Sequence, residues 1–113
     1  MATAVKEDIP VLPYFALAAG FLTGKYQPGV AVDSVRAEDM PEYMNDRGWA
    51  ILNALTEIAH EENTSTAAVA LGWLRAQPGI VTPIASARTP EQLAQILPVV
   101  ELSAEQVAKV NAL

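Results

Sequence analysis

Two short apolar runs constrain the fold of this 113-residue chain more than any other feature. Residues 9–15 (IPVLPYF) and residues 80–85 (IVTPIA) are rich in β-branched and apolar side chains and are bounded by turn formers. Such runs are typical of strands buried on both faces of a parallel sheet. Because helical patterns follow each run, the sequence predicts two consecutive βα units of an α/β fold. Two parallel strands alone cannot make a sheet with both faces and both edges covered.

Helical spacing begins in the middle of the chain. Apolar residues recur at helical intervals from Trp49 onward, which predicts an amphipathic helix over residues 46–61. Thr64-Ser65 offers an N-cap for a second, nearly all-apolar helix over residues 67–76. Residues 27–46 are rich in proline, glycine and acidic residues, which predicts a long loop before these helices.

Two capping signals predict the last helices. Thr89 can cap a helix whose first position is Pro90, and Gln92 can close a capping box. Ser103 and Gln106 repeat that box before a final helix. The predicted order is therefore strand, loop, two helices, strand, helix, helix.

Composition limits the partners of the chain. The formal net charge is −6 and the basic residues are scattered, which argues against a nucleic-acid partner. Cysteine is absent, and no apolar run approaches the ~20 residues of a membrane span. These features, with no signal-peptide core in residues 1–8, predict a soluble cytoplasmic chain. Hydrophobic residues nevertheless make up 51%, which favours apolar surface that meets something outside the chain.

A loop of small residues follows the first predicted strand. It leads through Ala18 and Gly20 to Gly24-Lys25, and small residues let backbone N–H groups approach an anion. A P-loop needs four residues between its glycines and Ser or Thr after the lysine. Here three residues separate the glycines and Tyr26 follows the lysine, which argues against a nucleotide triphosphatase. A glycine-rich turn with a purely structural role remains the alternative.

A second anion-competent loop follows the second predicted strand. Ser86 and Thr89 provide hydroxyls, and the guanidinium of Arg88 matches a phosphate group. A helix N-terminus at this point would also favour an anion. The alternative is an ordinary capped helix with a solvated arginine. Both loops would lie at the C-terminal ends of parallel strands, where α/β folds place their sites, and this favours the functional interpretation.

The remaining chemically versatile side chains do not predict a site. His60 is the sole histidine and has no cysteine or other companion ligand, so a structural role is favoured over metal binding. The tyrosines have no visible base or lysine at an interpretable spacing, and packing or loop anchoring is favoured for Tyr14, Tyr26 and Tyr43.

Three segments, in order, resemble the aldo-keto reductase family. Residues 13–26 (PYFALAAGFLTGKY) resemble its strand-seven segment, and residues 64–74 (TSTAAVALGWL) resemble the helix before strand eight. Residues 83–93 (PIASARTPEQL) resemble the strand-eight loop and its helix. The resemblance implies that residues 1–113 are a C-terminal fragment of one domain, a (β/α)8 TIM barrel. This partial barrel would contain two parallel βα units and C-terminal helices.

The family resemblance also implies NADPH as the cofactor and reduction of aldehydes or ketones as the reaction. The residues implied to line the nicotinamide and pyrophosphate are Phe15, Leu17, Ala18, Gly20 and Leu22, with Lys25 near the phosphates. Those implied to meet the 2′-phosphate are Ser86, Ala87 and Arg88, with Gln92 beside the adenine. Ile96 stands where the family often carries an adenine-binding asparagine.

The family's catalytic Asp, Tyr, Lys and His come from the first half of the barrel, and none is assigned in this chain. Tyr14 and His60 do not occupy matching positions. We therefore expect little or no turnover from the isolated chain. Three alternatives stay open: a truncated form of an active enzyme, a module that completes the barrel by self-association or with a complementary chain, and a non-catalytic remnant that binds a partner.

Overall fold

A computed structural model of the protein describes residues 1–14, 16–24 and 43–113. The predicted site residues Phe15 and Lys25 lie outside the described residues, as does the predicted loop up to residue 42. The described part is mainly helical, with α1 (Ala2–Lys6), a 3₁₀ helix (Ala18–Thr23), α2 (Asp46–Glu61), α3 (Thr66–Arg75), α4 (Pro90–Ile96) and α5 (Ala104–Asn111).

Polar side chains cap the two central helices. The Gly48 N–H donates to the side-chain oxygen of Asn45 at the start of α2, and the Ala68 N–H donates to Ser65 Oγ at the start of α3. Each bond satisfies a backbone donor that has no partner within the helix. The helix predicted over residues 46–61 is confirmed, and the second helix begins and ends one residue earlier than predicted.

The predicted caps of the last two helices are also present. Thr89 Oγ1 accepts the Gln92 N–H at the start of α4, and Ser103 and Gln106 form a reciprocal capping box at the start of α5. Gln92 differs from the prediction in one respect. Its Oε1 accepts the N–H of Arg88, one residue before the cap, at 2.8 Å. The side chain of Gln92 therefore fixes the backbone of Arg88, the residue just before the N-cap of α4.

The two apolar runs pair in parallel, through one β-bridge between Val11 and Ile80. We call residues 9–14 segment A and residues 79–84 segment B. The Val11 N–H donates to the Gly79 carbonyl at 2.9 Å, and the Val81 N–H donates to the Val11 carbonyl at 3.0 Å. The parallel sense predicted from the sequence is thus confirmed. In the described part of the chain, however, the two predicted strands amount to this bridge, because prolines remove donors that a longer ladder needs.

The prediction that both runs are buried on two faces is wrong for the described residues. Leu12, Val81 and Ile84 are 49%, 61% and 50% exposed, and Tyr14 is 76% exposed. The physical reason is that no further strand from the described residues flanks the pair, so apolar side chains that a complete sheet would cover stay open to solvent.

The core lies instead between the helices. Its main buried cluster comes from α2, α3 and α5 and contains Leu55, Ile58, Ala59, Val69, Ala70 and Val110. Phe21 anchors the 3₁₀ helix to α2 and is 1% exposed, with its ring centroid 5.1 Å from that of Trp49. A Cβ on Gly72 would lie 2.6 Å from the carbonyl oxygen of Val100, so the chain crosses α3 in direct contact with its backbone. Among the described helices, none is long and apolar enough to cross a membrane.

Candidate functional site

Both predicted loops leave the same end of the paired segments. Because segments A and B run in parallel, residues 16–24 and residues 86–89 each follow the C-terminal end of their segment. Parallel α/β folds place their sites at this end. The topology that the sequence analysis required for two neighbouring loops is therefore present.

The first loop is an internally bonded 3₁₀ turn. The N–H groups of Gly20 and Leu22 both donate to the carbonyl of Leu17, and Thr23 Oγ1 donates to the carbonyl of Gly20 at 2.6 Å. Gly20 has a φ of 103° and Ala18 a φ of 49°, a left-handed conformation that an alanine adopts at some cost. The N–H groups of Gly20 and Leu22 are therefore occupied inside the turn and do not form an open anion cradle.

The side chains of this loop face two environments. Leu17 and Leu22 pack against the main core cluster. Ala18 and Leu22 line a cavity of about 590 Å³, together with residues of α2 and α3 such as Ile51 and Trp73. This cavity does not include residues 86–92. The structure thus brings part of the first loop together with α2 and α3. The described residues form no hydrogen bond between the two loops.

The second loop presents its polar side chains to solvent. Ser86 and Arg88 are exposed, Ala87 is half-buried, and neither polar side chain has a hydrogen-bond partner among the described residues. The backbone of Arg88 is fixed by Gln92, whose own N–H donates to Thr89. A guanidinium has five N–H donors in a planar fork that fits a phosphate. In this loop the backbone of Arg88 is therefore fixed by a hydrogen bond, while its guanidinium is exposed to solvent.

A contact that the sequence did not indicate sets the position of α4. Ser65 Oγ accepts the Ala68 N–H as predicted for a cap, but it also donates to the carbonyl of Gln95 in the last turn of α4. This bond ties the start of α3 to the end of α4 and so places the loop before α4. Local signals could identify the capping role of Ser65, whereas nothing in the sequence pairs it with a residue 30 positions away.

Within the described part of the chain, an ion pair with shifted pKa values lies away from both loops. The hydrogen bond from Lys109, and then its positive charge, hold the pKa of Glu57 below its ordinary value, and the same bond raises the pKa of Lys109. Both side chains are exposed, so the pair links α2 to α5 at the surface. The described residues contain no group of three or more His, Asp or Glu side chains that could hold a metal ion.

The fold and its relatives define the class of protein. A parallel segment pair with helices packed beside it superposes on 36% of a glycerol dehydrogenase from Gluconobacter oxydans, with a TM-score of 0.73, 24% identity and 98% of this chain covered. That likeness shows a fold shared with part of that protein. The aldo/keto reductase family model matches residues 1–113, and the chain belongs to that family.

A curated relative has the same partial coverage. L-glyceraldehyde 3-phosphate reductase from Escherichia coli O157:H7 is 27% identical, over 96% of this chain and 34% of its own length. The chain thus spans about a third of the length of both proteins. The family membership predicted from the three sequence segments is confirmed.

Proposed function

We propose that this chain supplies the cofactor-binding, C-terminal part of an NADPH-dependent oxidoreductase that reduces an aldehyde or ketone to an alcohol. The observation that carries the proposal is the parallel bridge between Val11 and Ile80, which puts both predicted cofactor loops at one end of the pair. The relatives support the reaction class, since one is a reductase of an aldehyde phosphate and the other a dehydrogenase of an alcohol.

In this proposal the second loop binds the 2′-phosphate of NADPH. The guanidinium of Arg88 and the hydroxyl of Ser86 donate to the phosphate oxygens, and the small Ala87 side chain leaves room between them. Gln92 Oε1 accepts the Arg88 N–H, so the amide nitrogen of Gln92 is the group that would contact the adenine. Both donor side chains are exposed and therefore accessible to a phosphate group.

The first loop contacts the nicotinamide and pyrophosphate, with Phe15 and Lys25 as the further residues that the resemblance assigns there. The set within the described residues is Leu17, Ala18, Gly20 and Leu22. The N–H groups of Gly20 and Leu22 already donate to the Leu17 carbonyl. We therefore propose that this loop makes apolar contacts with the cofactor and does not donate hydrogen bonds to its phosphates. NADPH supplies the hydride when bound, and the acid–base residues come from outside the matched segments.

A second candidate function is a non-catalytic interaction module, and the exposed apolar side chains of segments A and B favour it. Cofactor binding separates the two functions. We would titrate the 113-residue chain with NADPH and with NADH, following nicotinamide fluorescence, and compare Arg88→Ala with the control Lys6→Ala, which removes an exposed positive charge in α1.

The expected result follows from the charge on the 2′-phosphate. Loss of a charge-assisted hydrogen bond costs about 1.5–3 kcal/mol, so Arg88→Ala should weaken NADPH binding roughly 10- to 100-fold and leave NADH binding nearly unchanged. Lys6→Ala removes one positive charge away from both loops and should change neither. No NADPH binding at millimolar concentration would reject the cofactor proposal for this chain and leave the interaction module.

A further inference from the structure

We propose that the hydroxyl of Ser65 positions the second loop for the 2′-phosphate of NADPH. Ser65 is a positioning residue in this proposal: it holds α4 on α3, and α4 holds the backbone of Arg88. The inference rests on the proposed function because it concerns the same cofactor, but it assigns a role to a side chain that lies outside both loops.

Helix α4 has little packing of its own to fix its position. It is seven residues long, and a helix of that length is not stable in isolation. None of its residues is buried, and its apolar residues other than Ile96 are exposed. Leu97, which follows the helix, is 64% exposed. The position of α4 therefore depends strongly on its polar contacts with α3.

Ser65 makes such a contact near the C-terminal end of α4. Its Oγ donates to the carbonyl of Gln95, which belongs to the last turn of the helix. Carbonyls in a last turn lack partners within the helix, so the hydroxyl satisfies an acceptor that α4 cannot satisfy itself. The Val100 carbonyl also meets α3, at Gly72, but that contact lies beyond Ile96 and outside α4. The bond to Ser65 therefore acts on α4 directly.

The Ser65 side chain makes two bonds with different chemical requirements. Its oxygen accepts the Ala68 N–H as the cap of α3, and its proton goes to the Gln95 carbonyl. A hydroxyl can do both at once because it has one donor and two acceptor lone pairs. The cap needs only an acceptor, so Asp would serve there, whereas an ionised Asp has no proton to donate. The two roles of Ser65 can therefore be separated by substitution.

Helix α4 connects this bond to the second loop. Gln92 lies one turn before Gln95, and its Oε1 accepts the Arg88 N–H at 2.8 Å. A seven-residue helix is about 10 Å long and moves as one unit, so a shift at Gln95 reaches Arg88. Hydrogen bonds from a guanidinium to a phosphate span about 2.7–2.9 Å, and a small displacement of Arg88 weakens them. Loss of the Ser65 bond should thus lower the affinity for the 2′-phosphate.

Two substitutions of Ser65 test the proposal in the 113-residue chain. Ser65→Asp keeps the acceptor for the α3 cap and removes the donor to α4, whereas Ser65→Thr keeps both. Thr64→Asp is the matched control, because it adds the same charge one residue earlier and leaves the Ser65 hydroxyl in place. The measurements are dissociation constants for NADPH and NADH from nicotinamide fluorescence, and amide hydrogen exchange at Ala68, Arg88 and Leu97.

We expect Ser65→Asp to loosen α4 and to leave α3 capped. Exchange at Arg88 and Leu97 should become about 3- to 10-fold faster, and exchange at Ala68 should change little. NADPH should bind about 3- to 10-fold more weakly, and NADH, which has no 2′-phosphate, should lose less. Ser65→Thr and Thr64→Asp should match the unsubstituted chain in both measurements.

A double substitution distinguishes positioning from a general loss of stability. In an Arg88→Ala background, Ser65→Asp should cause no further change in the ratio of NADPH affinity to NADH affinity, because the effect acts through the guanidinium. A purely structural role of Ser65 would change both affinities by the same factor with or without Arg88.

Three results would overturn the proposal. They are unchanged exchange at Arg88 in Ser65→Asp, faster exchange there with an unchanged ratio of the two affinities, and a further change of that ratio in the Arg88→Ala background. Each leaves the proposed function intact as long as the unsubstituted chain binds NADPH through Arg88. Absence of NADPH binding to the unsubstituted chain would instead reject the proposed function, and this inference with it.

Discussion

Substitutions of Gln92 separate the order of the second loop from its charge. In the structure Gln92 Oε1 accepts the Arg88 N–H at 2.8 Å, and the Gln92 N–H donates to Thr89 Oγ1 at 3.1 Å. Gln92→Ala removes the first bond only. An exposed neutral hydrogen bond contributes about 1 kcal/mol, so the Arg88 amide should open roughly 5-fold more often.

Gln92→Glu keeps the acceptor and adds a charge. The carboxylate makes a charge-assisted bond to the Arg88 N–H and suits the first turn of α4, so the loop should be at least as ordered as before. The same charge repels a 2′-phosphate held by Arg88. A repulsion of about 1–2 kcal/mol, between the values for bulk water and for a protein surface, would weaken NADPH binding about 10-fold relative to NADH.

The assay combines dissociation constants for NADPH and NADH with amide exchange at Arg88. We expect Gln92→Ala to speed that exchange and to weaken both cofactors, because the amide nitrogen proposed to contact the adenine is removed, and to weaken NADPH somewhat more, because Arg88 is less well ordered. Gln92→Glu should slow the exchange and lower the preference for NADPH. Gln106→Ala removes the equivalent acceptor from the capping box of α5 and should affect neither cofactor.

Equal losses of NADPH and NADH binding in Gln92→Glu would refute the reasoning. Gln92 would then act only on the backbone of the helix entry, and the 2′-phosphate would lie elsewhere. Unchanged exchange at Arg88 in Gln92→Ala would contradict the hydrogen bond itself.

Three further predictions concern stability. Gly72→Ala puts a methyl group 2.6 Å from the Val100 carbonyl oxygen, and should destabilise the chain by roughly 1–3 kcal/mol in urea unfolding, whereas a smaller loss would show that the crossing relaxes. Ser103→Ala deletes a helix cap and should cost about 1 kcal/mol by the same measurement, with helix content reported by circular dichroism. Lys109→Gln should lower Tm slightly at pH 7. This difference should vanish as the pH falls through the depressed pKa of Glu57, since that carboxylate contributes only above it, and it should also vanish as the pH rises through the raised pKa of Lys109.

Helix boundaries could be predicted from the sequence because their signals are local. Ser65, Thr89 and Ser103 lie at the starts of helices, and each accepts an N–H from a residue three positions later. Such bonds need only a short stretch of chain. The parallel sense of segments A and B was also accessible, since helices between two apolar runs favour a parallel return.

The contacts that build the candidate site could not be predicted in the same way. The bond from Ser65 to the Gln95 carbonyl depends on how α3 and α4 pack, and the cavity beside Ala18 depends on the approach of the first loop to α2 and α3. The left-handed φ of Ala18 has no sequence signal, because alanine disfavours that region. Burial failed as a prediction for Leu12 because the apolar pattern reports what a side chain prefers and not which element covers it.

The high apolar content of the chain now has a structural location. Helices α2, α3 and α5 bury apolar side chains in a shared core, while apolar side chains of segments A and B remain exposed. The same two segments carry the predicted cofactor loops at their C-terminal ends.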